Sequence, residues 1–375
     1  MLNSTLKNQN HSEWESIAIV NARTGKEKQA IYRFRYQVHV GELSRSISSA
    51  DHSRKRITDQ LDSWSQQIYA ECHGQIVGAA RVTIGSTNDF PDELVQALQM
   101  KKFRDFLPHN QKISLVTKLI VDTQYRKTPV AFRLMAKCYE MVREHQSQFS
   151  FGGCSPYLIP MYEQLGYRRY TEGFQDPGYG FVIPILLLPE DVEHLTAVRS
   201  PFLRTARKLP NSPAARQWLL ANIYDSTKYP VSLLTSQQER WDYVASHLGD
   251  PLVAMLVLGK LSREEARGLL QIATPFECRQ GQVFIRQGDV CNELNILITG
   301  EMSVTDGEGC SWLARPGDVV GGVGLLGQTH HQFDIRAVRD CEILAVSRFP
   351  FEKLLRTRPG LAEKLDLVSE QKEGR

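Results

Sequence analysis

Ile113-Ser-Leu-Val-Thr-Lys-Leu-Ile-Val-Asp-Thr-Gln-Tyr-Arg126 reads as a strand running into a turn, and Cys154-Ser-Pro-Tyr-Leu-Ile-Pro-Met-Tyr162-Glu-Gln-Leu-Gly-Tyr167 as a strand end, a short helix and the start of another strand. Residues 114–121 are mostly apolar, as suits a strand buried on both faces. Between the two stretches, residues 130–145 place Phe132, Leu134, Met135, Cys138, Tyr139 and Met141 on one face at helical spacing. Residues 151–154 read as a short strand and 156–165 as a helix, which Gly166 stops. Strand, turn, helix, strand, helix, strand is the order of an α/β domain.

Working outward, residues 17–20 read as a first strand and 26–40 as a helix with Ile31, Phe34 and Val38 inside. Residues 44–56 are polar and serine-rich and predict a mobile loop. Strands over 67–73 and 75–84 meet at a tight turn, His73-Gly74. A helix is expected over 94–106, and residues 181–188 close the sheet. Residues 1–15 are polar and expected to fray. Beyond residue 196 the texture is helical, including 214–223 and 237–248, with turn signals at Pro210-Asn-Ser-Pro213 and Gly249-Asp-Pro251. From Leu261 it changes again. Ser262-Arg-Glu-Glu265 is a capping box before a helix. Short strands then alternate with glycine turns at Gly281, Gly288, Gly300, Gly307, Gly309, Gly317 and Gly321, as in a jelly roll or barrel. Ser347-Arg-Phe-Pro-Phe-Glu opens a terminal helix.

The 375 residues imply two or more domains. A formal charge of +3 is too small to argue for nucleic acid. Residues 181–188 form the longest apolar run, interrupted by Pro184 and far short of a bilayer span. The first residues do not have the pattern of a signal peptide. The seven cysteines are odd in number and form no Cys-x-x-Cys, so neither a disulfide framework nor a metal site is expected, and reduced thiols in a cytoplasm are the simplest reading.

Four motifs then appear in order: Arg35-Tyr36-Gln-Val38, Asp59-Gln-Leu-Asp62, Gly78-Ala-Ala-Arg81 and Val116-Thr117-Lys118-Leu119-Ile-Val121, ending in Tyr162-x-x-Leu-Gly-Tyr167. On these, residues 17–190 resemble the GNAT superfamily, and more narrowly its autoinducer-synthase and N-acyl amino acid synthase branch. Leu115 stands where the autoinducer synthases have a glutamate, and Lys118 where they have an arginine. The resemblance therefore implies the N-acyl amino acid branch rather than homoserine-lactone chemistry. It implies direct acyl transfer with Tyr162 as general acid; the other reading is a tyrosine packed in the core. Arg35, Asp59, Asp62, Arg81, Lys118 and Cys154 are the candidates for holding the acceptor. Arg81 could clamp an α-carboxylate or simply pair with Asp62. Lys118 either snorkels or faces the donor, and Cys154 is either reactive or an inert buried thiol. Glu71 or Asp122, relaying through a water, are the candidates for the base.

Acyl transfer also needs an oxyanion site and a place for the donor's phosphate. A splayed strand offers backbone N–H groups, and a helix start offers a positive end. The donor-side candidates are Leu119, Val121, Arg126, Lys127 and Ala131. In GNAT proteins the phosphate turn reads Arg/Gln-x-x-Gly-x-Gly/Ala, and here it reads Arg126-Lys-Thr-Pro129-Val-Ala131. Proline suits a first helical turn but removes a donor. That favours acyl carrier protein as donor beside acyl-CoA. Basic clusters at residues 54–56, 101–104 and 199–208 could steer an acidic carrier, or could be solvated surface.

Residues 261–360 resemble a cyclic nucleotide-binding domain in their glycine scaffold, but not in its phosphate cassette. Gly322 stands for the ribose-binding glutamate and His331 for the phosphate-binding arginine; Gly321, Leu325 and Arg336 complete the degenerate cassette. Two lost charge-assisted contacts, at about 1.5–3 kcal/mol each, amount to roughly two to four orders of magnitude in affinity. Cyclic AMP binding by the usual route is not expected, unless a protonated His330 or His331 rescues it.

The expected architecture is an α/β GNAT domain with a mixed central sheet flanked by helices (16–195), a helical connector (196–260) and a β jelly-roll cyclic nucleotide-binding-like domain (261–370). The expected function is N-acyl transfer of a fatty acyl group from acyl carrier protein or acyl-CoA to an amino acid or similar amine, with a C-terminal regulatory module. No bound cofactor, no metal and no nucleic acid partner are expected, and the location is cytoplasmic or peripheral to a membrane. Two other readings stay open: a GNAT acetyltransferase acting on protein lysine or a small amine, and a non-catalytic sensor or scaffold.

Overall fold

The computed structural model of the chain describes residues 16–106, 112–126, 128–327 and 329–370, with side chains described to residue 365. Its contacts group residues up to Gly153 with Leu186–Ile223 in one unit, and Cys154–Ile185 with the chain from Tyr224 onward in a second. The helical segment 196–260 is thus shared out at Ile223 rather than standing as a body of its own.

In the first unit, strand β1 (Ala18–Asn21), helix α1 (Gly25–Tyr36), β2 (Gln66–Cys72), β3 (Gln75–Gly85), β4 (Ile113–Val121), helix α2 (Val130–Glu144) and β5 (Ser150–Cys154) build a mixed sheet in the order β1-β2-β3-β4-β5. The first four strands pair antiparallel, and β4 pairs parallel with β5 through Ser114–Ser150 and Leu115–Phe151. The β2–β3 turn is tight because His73 and Gly74 both take left-handed backbone, φ 50° and 76°, which matches the twist of a two-residue hairpin.

Side-chain alternation along β3 sorts the two faces. Ala79 packs with Ile31, Tyr32, Phe34 and Val38 of the α1 side. Gly78 faces α2, where a Cβ would come within 2.9 Å of Leu134 and 3.0 Å of Val130. The glycine of the Gly78-x-x-Arg81 motif is therefore a close-approach position for a helix. Arg81, two residues beyond Ala79, falls on the α1 face.

Three local expectations change. The helix expected over 94–106 is two pieces, Asp92–Ala97 and a 3-10 turn Met100–Phe103. Gln99 between them is left-handed (φ 47°), which turns Met100 and Phe103 fully into the core. The loop 44–56 contains a hairpin, Ala50–Asp51 against Arg56–Ile57, closed by Ser53 Oγ and the Arg54 N–H donating to Asp51. Ile47 and Ile57 anchor it in the core. The helix expected over 26–40 ends at Tyr36 and continues as a wider π turn, Gln37–Glu42.

In the second unit, helix α3 (Ile159–Leu165) ends at Gly166 in left-handed backbone (φ 107°), as a glycine stop requires. Strands β6 (Arg168–Arg169), β7 (Phe174–Asp176) and β8 (Gly180–Leu187) follow, β7 pairing with β8. Helices α4 (Gln237–Leu248) and α5 (Arg263–Gln271) each begin with a capping box, on Ser236 and Ser262. An all-antiparallel jelly roll comes next. Ala273–Cys278, Cys341–Ser347 and Glu293–Thr299 form one sheet; Val283–Ile285, Asp334–Ala337, Met302–Thr305 and Ser311–Ala314 form another. Its core joins Leu294, Ile296, Leu344 and Val346 to Trp241, Val244, Leu269 and Leu270 of α4 and α5. Two helices, Arg348–Leu355 and Leu361–Glu370, follow where the sequence suggested one. Among the described residues no helix is long and apolar enough to cross a membrane.

Candidate active site

Buried charge marks the site in the first unit. Arg35, on the last turn of α1, is 0% exposed, and Arg81 of β3 is 2% exposed. Neither could be buried alone, because an unpaired ion loses its hydration. Between them lies Asp62, on a 3-10 turn that Asp59 caps. Arg35 Nη1 donates to both Asp62 carboxylate oxygens at 2.9 Å, and Arg81 Nη1 donates to Asp62 Oδ1 at 3.0 Å and to Asp59 Oδ1. Gln67 accepts from Arg35 and donates to Asp62 at 2.9 Å. Arg81 Nε donates to Thr117 at 3.1 Å. Burial alone would raise the Asp59 carboxyl, but Arg81, Lys118 and Arg35 overcome it and hold Asp59 down at about 2. Asp62 is likewise lowered against burial, by Arg35 and Arg81.

Beside this group β4 departs from regular pairing. Ala79 pairs with Ile120, but Arg81 pairs with Thr117, so two residues of β4, Lys118 and Leu119, oppose one of β3. That is a β-bulge. Lys118 takes left-handed backbone, φ 56°, a conformation that costs a non-glycine residue about 1–2 kcal/mol. The extra residue lets Thr117 and Ile120, three apart, face α1 together. A bulge also leaves its extra residue outside the ladder, which is the splay an oxyanion site needs. Lys118 Nζ reaches Asp59 Oδ2 at 3.4 Å. Arg35, Arg81 and Lys118 thus all face Asp59 and Asp62, which makes this a strongly positive corner of the unit.

His39 completes the surroundings. It is 4% exposed, on the π turn after α1, and Arg45 Nη1 lies 3.4 Å from its Nδ1. Burial first, then Arg45, Lys118, Arg35 and Arg126, push its pKa down to about 2. The imidazole is neutral at any working pH. Sequence reasoning passed over His39, Gln67 and Thr117. The available signal was a polar residue at every second position of an otherwise apolar strand, as Gln67 is to Tyr69.

Of the other candidates, Leu119 is in the bulge and Val121 ends β4. Arg126 is committed to the Val121 carbonyl (Nε, 3.0 Å) and to Glu42, which also accepts from Thr123 at 2.7 Å. Lys127 lies outside the described residues. Ala131 is in the first turn of α2, whose N-cap is Pro129; the Val130 N–H donates to Thr128 Oγ1 at 3.4 Å. Of the two candidate bases, Asp122 lies just past the end of β4 and Glu71 lies on β2. Asp122 spends Oδ1 on capping the turn Thr123–Tyr125. Glu71 pairs with Ile76, four residues and about 13 Å along β3 from Ala80.

Tyr162 and Cys154 belong to the second unit. Tyr162 sits on α3 with its ring edge-on to Tyr167, centroids 5.4 Å apart. Cys154 is 5% exposed; burial, then Glu163, pushes its thiol up. The inert reading fits, because a reactive cysteine needs a stabilised thiolate.

In the jelly roll, the cassette backbone already has a side chain on it. His331 is 3% exposed, and its Nδ1 accepts from the Gly322 N–H at 3.1 Å. A Cβ on Gly321, which is left-handed at φ 92°, would meet that ring at 2.8 Å. His331 Nε2 faces Glu293 at 3.8 Å. Burial opposes a charge on this ring, while Cys291 and Glu293 favour one and raise it to about 9. The Gly322 N–H, however, needs an unprotonated Nδ1, so we read the proton on Nε2. Leu325 is buried beneath, and Arg336 is turned to the Gly281 carbonyl at 2.6 Å.

Residues 30–188 match the family model of the N-acyl amino acid synthase FeeM, and residues 275–358 match that of the cyclic nucleotide-binding domain. Among curated proteins, patatin-like phospholipase domain-containing protein 6 of Mus musculus is 31% identical over 111 residues, covering 28% of this chain and 8% of that protein. The chain therefore spans only a small part of the curated relatives it matches. Among solved structures, FeeM, an N-acyl amino acid synthase from uncultured soil microbes, covers 52% of this chain and 98% of its own at 11% identity and a TM-score of 0.40. Thermus thermophilus catabolite activator protein covers 31% and 57% at 26% identity and a TM-score of 0.28. The chain thus carries an N-acyl amino acid synthase-type domain followed by a cyclic nucleotide-binding domain.

Proposed function

We propose that residues 16–195 transfer a fatty acyl group from acyl carrier protein or acyl-CoA to the amine of an amino acid, that residues 196–260 connect, and that residues 261–370 regulate. The observation that carries the reading is the Arg35–Asp62–Arg81 network beside the β-bulge at Lys118. It puts a surplus positive charge, suited to an α-carboxylate, next to backbone suited to a thioester oxygen. Arg35, Asp62 and Arg81 hold one another, and Lys118 and Arg81 are the charges the acceptor meets. The amine attacks the thioester carbon, the carbon–sulfur bond breaks, Tyr162 protonates the departing sulfur, and the proton lost from nitrogen passes to solvent water, from which Tyr162 is reprotonated. Leu119 and Val121 line the donor path, and the start of α2 at Ala131 faces the donor's phosphate. The exposed basic residues Arg54, Lys101, Lys102, Arg204 and Arg207 suit an acidic carrier. Six of the seven free thiols are buried, in keeping with a reducing cytoplasm.

Expression in a bacterium, with mass spectrometry of lipid extract and acetylated products, tests this reading. New N-acyl amino acids, lost by about 100-fold or more in Tyr162→Phe, are expected. Acetylated products would favour an acetyltransferase, and no change a non-catalytic scaffold.

The regulatory domain is expected not to bind cyclic AMP, because Gly322 and His331 stand where the ribose-binding glutamate and the phosphate-binding arginine would be, and the His331 ring already accepts from the Gly322 N–H. A titration calorimetry experiment yielding micromolar or tighter affinity would overturn that expectation.

A further inference from the structure

Within the second unit lies a cavity of about 150 Å³, bordered by Arg169 and Glu172 near β6, by Lys228 in the turn before α4, by Arg240 and Tyr243 of α4, and by Glu277 of the jelly roll. Arg240 is 2% exposed, yet its Nε and Nη2 have no hydrogen-bond partner among the described residues. Arg169, 3% exposed, also has an unpartnered Nε. A buried guanidinium without acceptors is costly and calls for an anion.

The acids around the cavity each lie beside a cation or a donor, although Glu163 Oε1 and Glu277 Oε2 accept no hydrogen bond among the described residues. Glu277 lies 3.1 Å from Arg279 and 3.5 Å from Lys228. Glu172 pairs with Arg279, and Glu342 accepts from Tyr243 at 3.0 Å. Glu239 is exposed and turned to the Ser236 N–H at 2.7 Å. Glu163 is 3.5 Å from Arg169 and accepts from the Ser232 N–H at 2.9 Å. Burial first, and then Arg169, pushes Arg240 down to about 10, while Glu163 opposes the shift.

We propose that this cavity is a binding site for one small oxyanion, a phosphate or short carboxylate, held by Arg240 and Arg169, and that its occupancy sets how firmly α3 is tied down. Size supports the class: a protein cavity of about 150 Å³ takes a benzene-sized molecule, well below a nucleotide. The connection to α3 runs through Arg169. Its guanidinium donates to the Pro275 and Pro230 carbonyls and pairs with Glu163, the residue after Tyr162. An anion at Arg169 competes with Glu163 for it and loosens that hold. Only this consequence for catalysis rests on the acyltransferase reading; the binding site does not.

The test uses the full chain at constant ionic strength, titrated calorimetrically with inorganic phosphate and, separately, with acetate. Saturable binding of one equivalent of either is expected, accompanied by a rise in melting temperature. Arg240→Met, similar in length but uncharged, is expected to weaken it by about tenfold or more, while keeping the fold, since an uncompensated buried charge is removed. Arg240→Lys keeps the charge and is expected to retain part of the binding. No saturable binding of either probe to the unaltered chain, or equal binding by Arg240→Met, overturns the site. Binding without any change in Tyr162-dependent product overturns the coupling alone.

Discussion

Replacing Asp62 by Asn is expected to destabilise the N-terminal unit by about 3–5 kcal/mol. Asp62 is the shared carboxylate between two guanidiniums that are almost wholly buried. Without its charge, Arg35, Arg81 and Lys118 face Asp59 alone, and Arg35 keeps only Gln67 as an acceptor in the network. Breaking such a pair from one side costs far more than the pair contributes, because the remaining ions cannot regain water. Glu140→Gln is the contrasting change. Its pairing with Lys137 on α2 is half exposed and should shift stability by at most about 0.5 kcal/mol. Urea denaturation followed by hydrogen exchange in peptides from β2 to β4 reads the first unit separately from the second. An Asp62→Asn shift no larger than that of Glu140→Gln would mean the network is not holding the unit together. Acid titrates the same network. Asp59 is lowered in the fold, so its contribution is present above its ordinary pKa near 4 and is lost as pH falls toward about 2.

A second expected result appears at milder pH. The His39 ring is held neutral in the fold, at about 2 against an ordinary 6.5. Below about 6.5 the unfolded chain takes up a proton that the folded chain refuses. The stability this residue confers is therefore fully present above pH 6.5. It falls by about 1.4 kcal/mol per pH unit as acid is added, continuing toward pH 2. Between pH 7.5 and pH 5 the loss from this residue alone is about 2 kcal/mol. His39→Gln keeps a polar group of similar reach and removes the titration. Whatever its starting stability, the fall between pH 7.5 and 5 should shrink by that amount relative to the unaltered chain. Parallel slopes in the two proteins would falsify the assignment. The other histidines are common to both proteins, so their contributions cancel in the comparison.

The acidic and basic motif residues were legible one at a time. Arg35, Asp59, Asp62, Arg81 and Lys118 were each singled out, and the fold brings these five to one place. Arg81 forms the ion pair with Asp62 that one of its two readings expected, and the α-carboxylate clamp is a proposal. Glu71 and Asp122 were chosen for residue type and nearness in sequence, and strand geometry carries Glu71 about 13 Å from the bulge. His39 gave no signal because a lone histidine in an amphipathic segment says nothing of its depth or of the four cations around it.

The sequence alone determined the elements. Apolar periodicity, the capping box at Ser262 and the glycine stop at Gly166 act over a few residues, so α2 and α4 could be read within a residue, while the expected α1 runs four residues too long. It also determined that the cassette lacks its usual arginine and glutamate, a matter of residue identity. Tertiary structure decided the rest. Whether β4 bulges at Lys118 depends on its register against β3. Whether Asp62 is an ion pair or a ligand depends on partners 27 and 19 residues away. That His331 fills the cassette, and that Arg240 is left facing a cavity, follow from which groups meet after the backbone has closed. Charge burial is set by those long-range meetings, and no local pattern encodes them.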